Sequence, residues 1–419
     1  MSVPKLRFKE FKEEWKLIKL GKIADKITSG ARDWAQYYSE NGSKFIRMTN
    51  LSREGIHLKL DDLKFVNVKA ESSDGQRTSL IHGDILISIT AELGKIGWIP
   101  PNFGEAFINQ HTGLVRLKKE QADSLFIAYL LSTAKLNKQI NRLNDSGAKS
   151  GLNLPTIASI NIHLPKISEQ NKIANFFVTI DEKIAQLTQK CELLARYKKG
   201  VMQQIFSQEL RFKDDGDRDF PDWEEKTFSQ ANIKVIDGDR GENYPNGSDF
   251  SDDGYCLFLN AKNVTKSGFV FNEVSFVTKQ KDESLRKGKL IRSDLIITTR
   301  GTVGNIAYFD KKITYENIRI NSGMVIIRNA SSNIEPNYLY KYFYSPRFRK
   351  TLEQIAFGSA QPQLTVAEIN KFKIDIPMLK EQSKIANFLT SIDEKITEAQ
   401  TYLDTVKQYK QGLLQQMFV

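Results

Sequence analysis

The sequence EQNKIANFFVTIDEKIAQLTQKCELLARYKKGVMQQIF at Glu169–Phe206 returns as EQSKIANFLTSIDEKITEAQTYLDTVKQYKQGLLQQMF at Glu381–Phe418. The two copies align without a gap at a constant offset of 212 residues, and 18 of their 38 positions are identical. A repeat of this length means that the chain builds the same element twice, so it sets the architecture.

Apolar residues recur in both copies at steps of four and three, the spacing of a coiled-coil seam rather than of a surface helix. One polar slot interrupts the seam, at Lys198 in the first copy and at Lys410 in the second. At about 1.5 Å per residue, each helix would be roughly 57 Å long. The shared seam predicts that the two helices pack on each other.

The duplication extends beyond the helices. Leu6–Lys9, LRFK, recurs as Leu210–Lys213, and Trp15 is matched by Trp223. The opening residues therefore resemble those that directly follow the first helix. This predicts neighbouring chain termini and a circular arrangement about a pseudo-two-fold axis.

Two globular segments lie between these markers and match only in places. The sequence LIHGDILISITAELGKIGWI at Leu80–Ile99 corresponds to LIRSDLIITTRGTVGNIAYF at Leu290–Phe309. In both, a turn ending in Asp84 or Asp294 opens a buried-looking strand, and a short loop leads to a second strand.

Each segment continues with a further predicted strand and a helix. The strand is predicted at Phe107–Leu117 and at Arg319–Arg328, and the helix at Ser124–Leu143 and at Asn337–Ile355, where Pro346 breaks it. Each segment is therefore a mixed α+β domain. We predict two globular domains, two helices and a linker, with the boundaries 1–166, 167–207, 208–222, 223–378 and 379–419.

Composition bounds the class of protein. A chain of 419 residues with 40% apolar and 26% charged residues is typical of a globular protein of two or three domains. Because it has no membrane-length apolar run and no apolar signal core at its start, we expect it in the cytoplasm. The net charge of +11 and the pI near 9.3 are compatible with a polyanionic partner.

The sequence offers no catalytic site. It contains neither the Asn/Asp-Pro-Pro-Tyr/Phe tetrapeptide of adenine methyltransferases nor a GxxxxGK[ST] phosphate loop. A nuclease interpretation could use Asp222, Glu224 and Glu225, but these crowd one turn instead of coming from separate strands. The four histidines all lie in the first half without a Cys/His or His/carboxylate cluster, so we predict no metal site.

Two divergent domains, each followed by a near-identical helix beginning EQ.KIA.F…ID.KI, with GDILI…G.IG strands, resemble the specificity subunit of a type I restriction-modification system. The resemblance covers essentially the whole chain. It implies an α+β fold with two mixed α/β target-recognition domains, joined and separated by two long antiparallel coiled-coil helices. It also implies a non-catalytic chain that binds double-stranded DNA and two methyltransferase subunits carrying S-adenosylmethionine. Restriction subunits that use ATP and Mg would complete the complex.

The sequence departs from the family pattern at two loops. Ser293 stands opposite Gly83, and Thr90-Ala91-Glu92 stands where glycine is frequent. These departures leave the conformation of both loops open.

Base reading requires donors and acceptors on rigid edges, and phosphate contacts require Lys, Arg, Ser or Thr. In the first domain we predict DNA contacts from Arg47, Asn50, Thr90, Lys95, Asn109, Gln110 and Lys149. In the second we predict them from Asn260, Lys262, Asn263, Arg300, Asn305, Asn321, Gln361 and Gln363. Each residue taken alone is at least as well explained as a solvated loop residue or turn-former. Only their clustering on matched loops favours DNA contact.

A stiff antiparallel helix pair would fix the separation of the two readers, so both could face one side of DNA roughly 34–36 Å apart. The expected target is bipartite and asymmetric. We predict methyltransferase docking on the repeated triplets Asp181, Glu182, Lys183 and Asp393, Glu394, Lys395. A solvated coiled-coil flank explains these charges equally well.

Two functions of other classes stay open. One is a nuclease or methyltransferase with an unrecognised site. The other is a coiled-coil adaptor that binds only proteins.

Overall fold

A computed structural model describes residues 3–31, 34–68, 72–143, 151–356 and 363–419. The chain forms two compact units. Unit 1 comprises Met1–Gln189 and Gln400–Val419, and unit 2 comprises Lys190–Ala399. Each unit thus holds one globular domain, the first part of the helix that follows it and the last part of the other helix.

In unit 1 the regular elements run up to the first long helix. They are β1 (Lys16–Lys19), α1 (Leu20–Ile23), β2 (Ala24–Ser29), β3 (Tyr38–Ser39), β4 (Ser43–Ile46), β5 (Lys64–Val66), α2 (Ser73–Thr78), β6 (Ile85–Ser88), β7 (Ile96–Trp98), β8 (Ala106–Ile108), β9 (Thr112–Leu117), α3 (Ser124–Ser132), α4 (Ala134–Arg142), α5 (Leu154–Ala158), β10 (Asn161–Leu164) and α6 (Ile167–Phe206).

Unit 2 repeats this order. Its elements are β11 (Glu224–Thr227), β12 (Ile233–Asp237), β13 (Cys256–Leu259), β14 (Val264–Thr265), β15 (Gly268–Phe269), β16 (Phe276–Val277), α7 (Lys279–Ser284), β17 (Leu295–Thr298), β18 (Ile306–Tyr308), β19 (Ile318–Ile320), β20 (Met324–Asn329), α8 (Pro336–Phe343), α9 (Pro346–Ala356), α10 (Val366–Ile369), β21 (Lys373–Ile376) and α11 (Leu379–Met417). One-turn 3-10 helices lie at Trp34–Tyr37, Met48–Asn50, Gly247–Asp249 and Ala261–Asn263.

The sheets correspond between the units. Unit 1 has an antiparallel sheet in the order β2-β9-β6-β7, and unit 2 has its equivalent, β12-β20-β17-β18. A second sheet contains the parallel pair β4–β8 in unit 1 and β13–β19 in unit 2. The short antiparallel pairs β1–β10 and β11–β21 close each domain just before its long helix. Both domains are therefore mixed α and β.

Two sequence predictions need correction here. The strand predicted at Phe107–Leu117 is two strands, β8 and β9, which belong to different sheets, and the same break separates β19 from β20. The helix predicted at Ser124–Leu143 is also two helices, because Thr133 ends α3 and accepts a hydrogen bond from Leu136 N as the N-cap of α4. A threonine cap thus breaks the first copy where Pro346 begins α9 in the second.

The two long helices run antiparallel within each unit. In unit 1 the start of α6 shares a core with the end of α11, where the rings of Phe177 and Phe418 stack with centroids 5.7 Å apart. In unit 2 the end of α6, around Ile205, shares a core with the start of α11, around Leu389. The predicted packing of the repeated helices is confirmed.

The repeated LRFK segment anchors the start of each helix. Arg7 Nε and Trp15 Nε1 both donate to Oε1 of the buried Glu169, at 2.7 and 3.3 Å. Arg211 and Trp223 bind the equivalent Glu381 in unit 2, where both donor distances are 3.1 Å. A buried carboxylate needs such compensation, because without it burial costs several kcal/mol.

The described part of the opening segment lies beside the end of α11, as predicted. In unit 1 the backbone amide of Leu6 donates to the carbonyl of Gln416 at 2.9 Å. In space, Leu6 therefore lies beside the end of α11 in the same way as Leu210 lies beside the end of α6.

The polar slot of the seam holds a buried ion pair. In unit 1 Lys410 binds Asp181, and the two side chains are 8% and 9% exposed. Asp181 also accepts hydrogen bonds from Tyr129 of α3, at 2.6 Å, and from His57, at 3.0 Å. One carboxylate thus ties together α6, α11 and the globular domain.

Unit 2 builds the same junction with the helices exchanged. Lys198 of α6 binds Asp393 of α11 at 2.6 Å, and Lys341 of α8 binds it at 2.6 Å. Lys341 occupies the position that matches Tyr129. Here the carboxylate is 33% exposed, so the second junction is the wetter of the two.

Both junctions favour an ionised carboxylate. Burial alone raises the pKa of Asp181, but the hydrogen bond from His57 and the ammonium of Lys410 outweigh it and leave the pKa below its usual value. Burial likewise raises the pKa of Asp393, and Lys198 and Lys341 outweigh it. Burial and the charge of Asp181 raise the pKa of Tyr129, so its hydroxyl stays protonated and donates.

Across the described ranges, neither the long helices nor the short ones contain an unbroken apolar run that could cross a bilayer.

The unequal burial of the two junctions predicts unequal costs of breaking them. We expect Lys410→Met to destabilise the protein by about 3 kcal/mol, because it strands a buried charge. We expect Lys198→Met to cost about 1 kcal/mol, because Asp393 is more exposed and keeps Lys341. Urea-induced unfolding at pH 7 measures both. Equal losses would contradict the assignment of the stronger constraint to Asp181.

The same variant predicts a pH dependence. Because the pKa of Asp181 in the folded protein lies below its usual value of 3.8, the native state binds fewer protons than the unfolded state. The contribution of Lys410 is therefore complete above that value and is lost as the pH falls through the folded pKa. The stability difference between the wild type and Lys410→Met should be constant from pH 7 to about 5 and shrink below pH 3.8. A difference that does not change with pH would mean that lost packing, not lost charge, causes the destabilisation.

Candidate nucleic-acid interface

The hairpin loops after β6 and β17 share one frame of hydrogen bonds. In unit 1 the amide of Lys95 donates to Ser88 Oγ at 2.8 Å, and the amide of Gly94 donates to the Ser88 carbonyl at 3.0 Å. In unit 2 the amides of Asn305 and Gly304 donate to Thr298 in the same way, at 3.0 and 2.9 Å. A buried hydroxyl therefore holds each loop, and the side chains at the loop tip take no part in the frame.

The two departures from glycine do not change the loop conformation. Ala91 has φ 54°, close to the 71° of the matched Gly301, and Ser293 has φ 75°, close to the 89° of Gly83. A residue with a Cβ in this left-handed region costs about 1 kcal/mol. The hydrogen bonds that close each turn hold it there.

A second turn lies against each hairpin loop. It contains Asn109 between β8 and β9, and Asn321 between β19 and β20. The amide of Ile89 donates to the carbonyl of His111 at 3.1 Å, and the amide of Thr299 donates to that of Gly323 at 2.8 Å. Strand β2 is followed by Gly30 and strand β12 by Gly238, and each glycine lies against the turn of its unit. A Cβ added to Gly30 would lie 2.1 Å from the carbonyl carbon of Asn109, and one added to Gly238 would lie 2.2 Å from the carbonyl oxygen of Asn321.

A third segment completes the cluster. The amide of Leu152 donates to the Ile89 carbonyl at 2.9 Å, and the amide of Leu364 donates to the Thr299 carbonyl at 3.1 Å. We call the hairpin loop (89–95 or 299–305), the turn (109–111 or 321–323) and this third segment (151–152 or 363–364) the loop edge of each unit. The predicted loops therefore do converge, although Lys149 and Gln361 lie outside the described residues.

Two predicted base readers are buried caps. Asn50 is 2% exposed and Asn263 is 1% exposed. Each accepts from the backbone amide three residues earlier, at 3.0 and 2.9 Å, and donates to loop carbonyls such as that of Lys59. In this structure both side chains hold one-turn 3-10 helices, and their contact with DNA stays a prediction.

The turn asparagines are also occupied. Asn109 is 9% exposed, and its Oδ1 accepts from His111 N and Thr112 Oγ1 at 3.2 and 3.0 Å. Asn321 Oδ1 accepts from Gly323 N at 2.9 Å. Asn260 Oδ1 caps its own 3-10 helix through Lys262 N at 2.8 Å. These three side-chain oxygens therefore serve turns, and contact of the three asparagines with DNA stays a prediction.

The remaining candidates differ in availability. Those with intrachain partners are Arg47 (Asp62), Thr90 (His111), Lys95 (Glu92), Asn305 (the Val264 carbonyl) and Lys262 (Glu273). Lys262 is nevertheless 74% exposed. Gln110 is half-buried at the turn, and Arg300 and Gln363 are exposed on the loop edge of unit 2. Arg300, Lys262 and Gln363 are therefore the most accessible of the predicted DNA contacts.

Several arginines that the sequence did not predict lie beside the loop edge. Arg240 follows Gly238 and donates to the Ser322 carbonyl at 3.3 Å, and Arg77 of α2 donates to the Gly30 carbonyl at 3.0 Å. Arg286 lies near Asp239 with a charged-atom distance of 3.8 Å. Burial raises the pKa of Asp239, but backbone amides outweigh it and keep the carboxylate ionised. In the sequence, the glycines at the matched positions Gly30 and Gly238 could have pointed to these arginines.

Only some residues of the two triplets predicted for methyltransferase docking are available to a partner. Asp181 and Asp393 are spent in the helix junctions, whereas the four other members are exposed: Glu182, Lys183, Glu394 and Lys395. The ammonium of Lys183 lies 5.6 Å from the ring centroid of Tyr402. Docking stays a prediction, and it now concerns the exposed members alone.

The acidic turn considered for a nuclease is a set of ion pairs. Glu225 binds Lys373 and Arg347 at 2.6 and 2.7 Å, and Glu224 binds Lys226 at 2.5 Å. Within the ranges that the structure covers, no group of three or more His, Cys, Asp or Glu side chains could hold a metal ion. These carboxylates therefore stabilise the strand β11.

Comparison with known proteins identifies the family. The family model for the type I restriction modification DNA specificity domain matches the chain twice, at residues 12–195 and 222–408. The MjaVIII specificity subunit of a type I restriction enzyme from Methanocaldococcus jannaschii is 26% identical over 345 residues, 76% of this chain and 76% of the relative. The EcoBI specificity subunit from Escherichia coli is 21% identical over 366 residues, 80% of this chain and 73% of that relative.

A solved structure supports the fold. The S subunit of a type I restriction-modification system from M. genitalium aligns over 100% of this chain and 99% of its own, with a TM-score of 0.60 and 14% identity. This likeness confirms the predicted fold class of two α+β domains with two long helices. Two matches to one specificity-domain model account for most of the sequence, and the chain belongs to the family of type I restriction-modification DNA specificity subunits.

Proposed function

We propose that this chain reads a bipartite, asymmetric DNA target, one half-site per unit, through the two loop edges. The observation that carries the proposal is the pairing of one hydrogen-bond frame with two different sets of tip residues. Base recognition requires donors held on a rigid support. The shared hydrogen-bond frame supplies the support. The side chains at the loop tips differ between the units, which allows the two half-sites to differ.

Charge and exposure support DNA as the ligand. Arg300, at the hairpin tip of unit 2, is exposed, and arginine is the commonest reader of guanine. Arg240 and Lys262 are exposed on other turns of unit 2 and suit phosphates, which attract Lys and Arg without regard to sequence. The net charge of +11 fits this polyanionic ligand.

The long helices act as the spacer in this proposal. Each helix begins in the core of one unit and ends in the core of the other, and we propose that helix length determines the length of the unread spacer in the target. Two methyltransferase subunits with S-adenosylmethionine would dock on the chain and methylate adenines, and restriction subunits would supply ATP- and Mg-dependent cleavage. The chain itself contributes recognition and no reacting group.

Exchanging loop tips should change one half-site. Replacing Thr90–Lys95 by the sequence of Arg300–Asn305 puts an arginine at position 90, on the loop edge of unit 1. The shared frame should keep the fold intact. We expect the methylated motif to change in the first half-site only. Methylome sequencing of cells that express the variant with its cognate methyltransferase measures this. Ser88→Thr, which keeps the supporting hydroxyl and adds one methyl group, as at Thr298, is the matched control and should leave the motif unchanged. An unaltered motif in the exchange variant would refute the reading role.

Lengthening both helices should change the spacer. Duplicating Lys190–Arg196 and Gln400–Val406 adds one heptad to each helix and preserves the seam. Seven residues extend a helix by roughly 10 Å, or about three base pairs at 3.4 Å per base pair. We expect both half-sites unchanged and the unread gap longer by about three base pairs.

Methylome sequencing again provides the measurement. The control duplicates only one of the two heptads, which puts the seams out of register and should abolish site-specific methylation. A gap that keeps its length in the double duplication would contradict the ruler function.

A further inference from the structure

An exposed acid lies at a matched position in each unit. Asp62 precedes Phe65 of β5 by three residues, and Glu273 precedes Phe276 of β16 by three residues. Strand β5 pairs antiparallel with β4, and β16 pairs in the same way with β13. The two acids therefore occupy equivalent places in the two domains, and we call them the edge acids.

Each edge acid binds a cation at the one-turn 3-10 helix that follows β4 or β13. Arg47 Nη2 donates to the carboxylate of Asp62 and to its backbone carbonyl, both at 2.8 Å. In unit 2 Lys262 Nζ donates to the carboxylate of Glu273 at 2.6 Å. Arg47 and Lys262 both belong to the residues predicted to contact DNA. The edge acids thus occupy side chains that DNA would use.

These ion pairs lie next to the loop edge. Strands β4 and β8 are parallel and end side by side, so that Arg47 follows β4 where Asn109 of the loop-edge turn follows β8. Strands β13 and β19 repeat this arrangement in unit 2. There the carbonyl of Val264 also accepts a hydrogen bond from Asn305 of the hairpin loop at 2.9 Å. DNA bound at the loop edge would therefore approach both ion pairs.

The buried asparagine caps hold the segments that carry the edge acids. Asn50 Nδ2 donates at 2.7 Å to the carbonyl of Lys59, three residues before Asp62. Asn263 Nδ2 donates at 2.8 Å to the carbonyl of Glu273 itself. The backbone of each segment is thus fixed to the 3-10 helix that carries or follows the cation, and the acid stays within reach of it.

Both edge acids are ionised at neutral pH. Hydrogen bonds from Lys64 and Arg47 lower the pKa of Asp62, and the hydrogen bond from Lys262 lowers the pKa of Glu273. Their side chains are 69% and 70% exposed. Exposed ion pairs are weak, because water and salt screen them. A phosphate of bound DNA can therefore displace each carboxylate from its cation.

A negative charge beside a DNA-reading surface needs a reason, since like charges repel. The positioning of one particular reading residue does not supply it. The cation is an arginine at Arg47 in unit 1, whereas Lys262 of unit 2 corresponds to Thr49. The acid is common to both units, and the place of its cation is not. The shared property is the neutralisation of one positive charge beside each loop edge.

We propose that Asp62 and Glu273 inhibit sequence-independent DNA binding by occupying Arg47 and Lys262 until phosphates displace them; this rests on the proposed function. Phosphates attract Lys and Arg on any sequence, and a chain with a net charge of +11 is prone to bind bulk DNA. Each ion pair removes one cation from that attraction. The chain therefore spends less time on DNA that lacks its target.

The test measures binding to a random-sequence duplex by fluorescence anisotropy, with the chain in complex with its methyltransferase subunits. Asp62→Asn and Glu273→Gln should each raise the affinity about fivefold, and the double variant should raise it about 25-fold. Each freed cation can release counterions from one more phosphate. The slope of log affinity against log salt concentration should therefore steepen by about 0.9 for each acid removed.

Two kinds of control separate the local ion pair from net charge and from shape. Glu224→Gln removes the same charge from an exposed ion pair with Lys226, which belongs to the strand pair β11–β21 and not to the loop edge. It should change neither the affinity nor the slope. Asp62→Glu and Glu273→Asp keep the charge and should bind the random duplex as the wild type does.

Three outcomes decide between the alternatives. Unchanged affinity and slope for the random duplex in the double variant would overturn the inhibition. Weaker binding of the target duplex by the double variant would overturn it as well and would assign the acids to base reading, since carboxylates accept from the amino group of cytosine. A wild-type complex that does not prefer the target duplex to the random one would instead overturn the proposed function.

Discussion

The structure depends on an exchange of helix ends. The ring of Phe418, at the end of α11, lies 5.2 Å from Phe126 in the core of the first domain. Phe206, at the end of α6, lies 5.5 Å from Tyr342 in the core of the second. Removing a buried phenylalanine from a core costs about 3–5 kcal/mol, a large part of the stability of a domain. Neither globular domain therefore has a complete core without the helix that started in the other.

The exchange explains which polar residues the two copies share. Gln170 and Gln382 each accept from the amide that opens a domain helix, at Asp123 and Glu335, at 2.9 and 2.8 Å. In both units the junction carboxylate binds one ammonium from the long helix that ends there. Its partner from the domain helix is Tyr129 in unit 1 and Lys341 in unit 2. Groups that hold helix to helix are identical, and groups from the domains need only supply a donor. The two helix copies are therefore more alike in sequence than the two domains.

The sequence predicted the helices well because their signal is long and periodic. Repeat copies predicted from Glu169 and Glu381 correspond to helices that begin at Ile167 and Leu379. The sequence does not distinguish a polar residue in a cap from one at a DNA contact, because both do the same local chemistry. An asparagine side chain such as that of Asn263 presents one acceptor and two donors whether its partner is a base or a backbone. Only burial separates the two, and burial depends on contacts that are distant in sequence.

The same distinction explains how the loop edge could change its reading without losing its shape. The hairpin frame uses backbone groups and one buried hydroxyl, from Ser88 or Thr298, so it places no demand on the tip residues. Even the conformation expected to require glycine is kept by Ala91. A frame that tolerates a strained residue tolerates ordinary substitutions at Thr90 or Arg300 more easily, since their side chains lie outside it. If the loop edge reads DNA as proposed, specificity can vary at nearly constant stability, which a recognition surface made of core residues could not do.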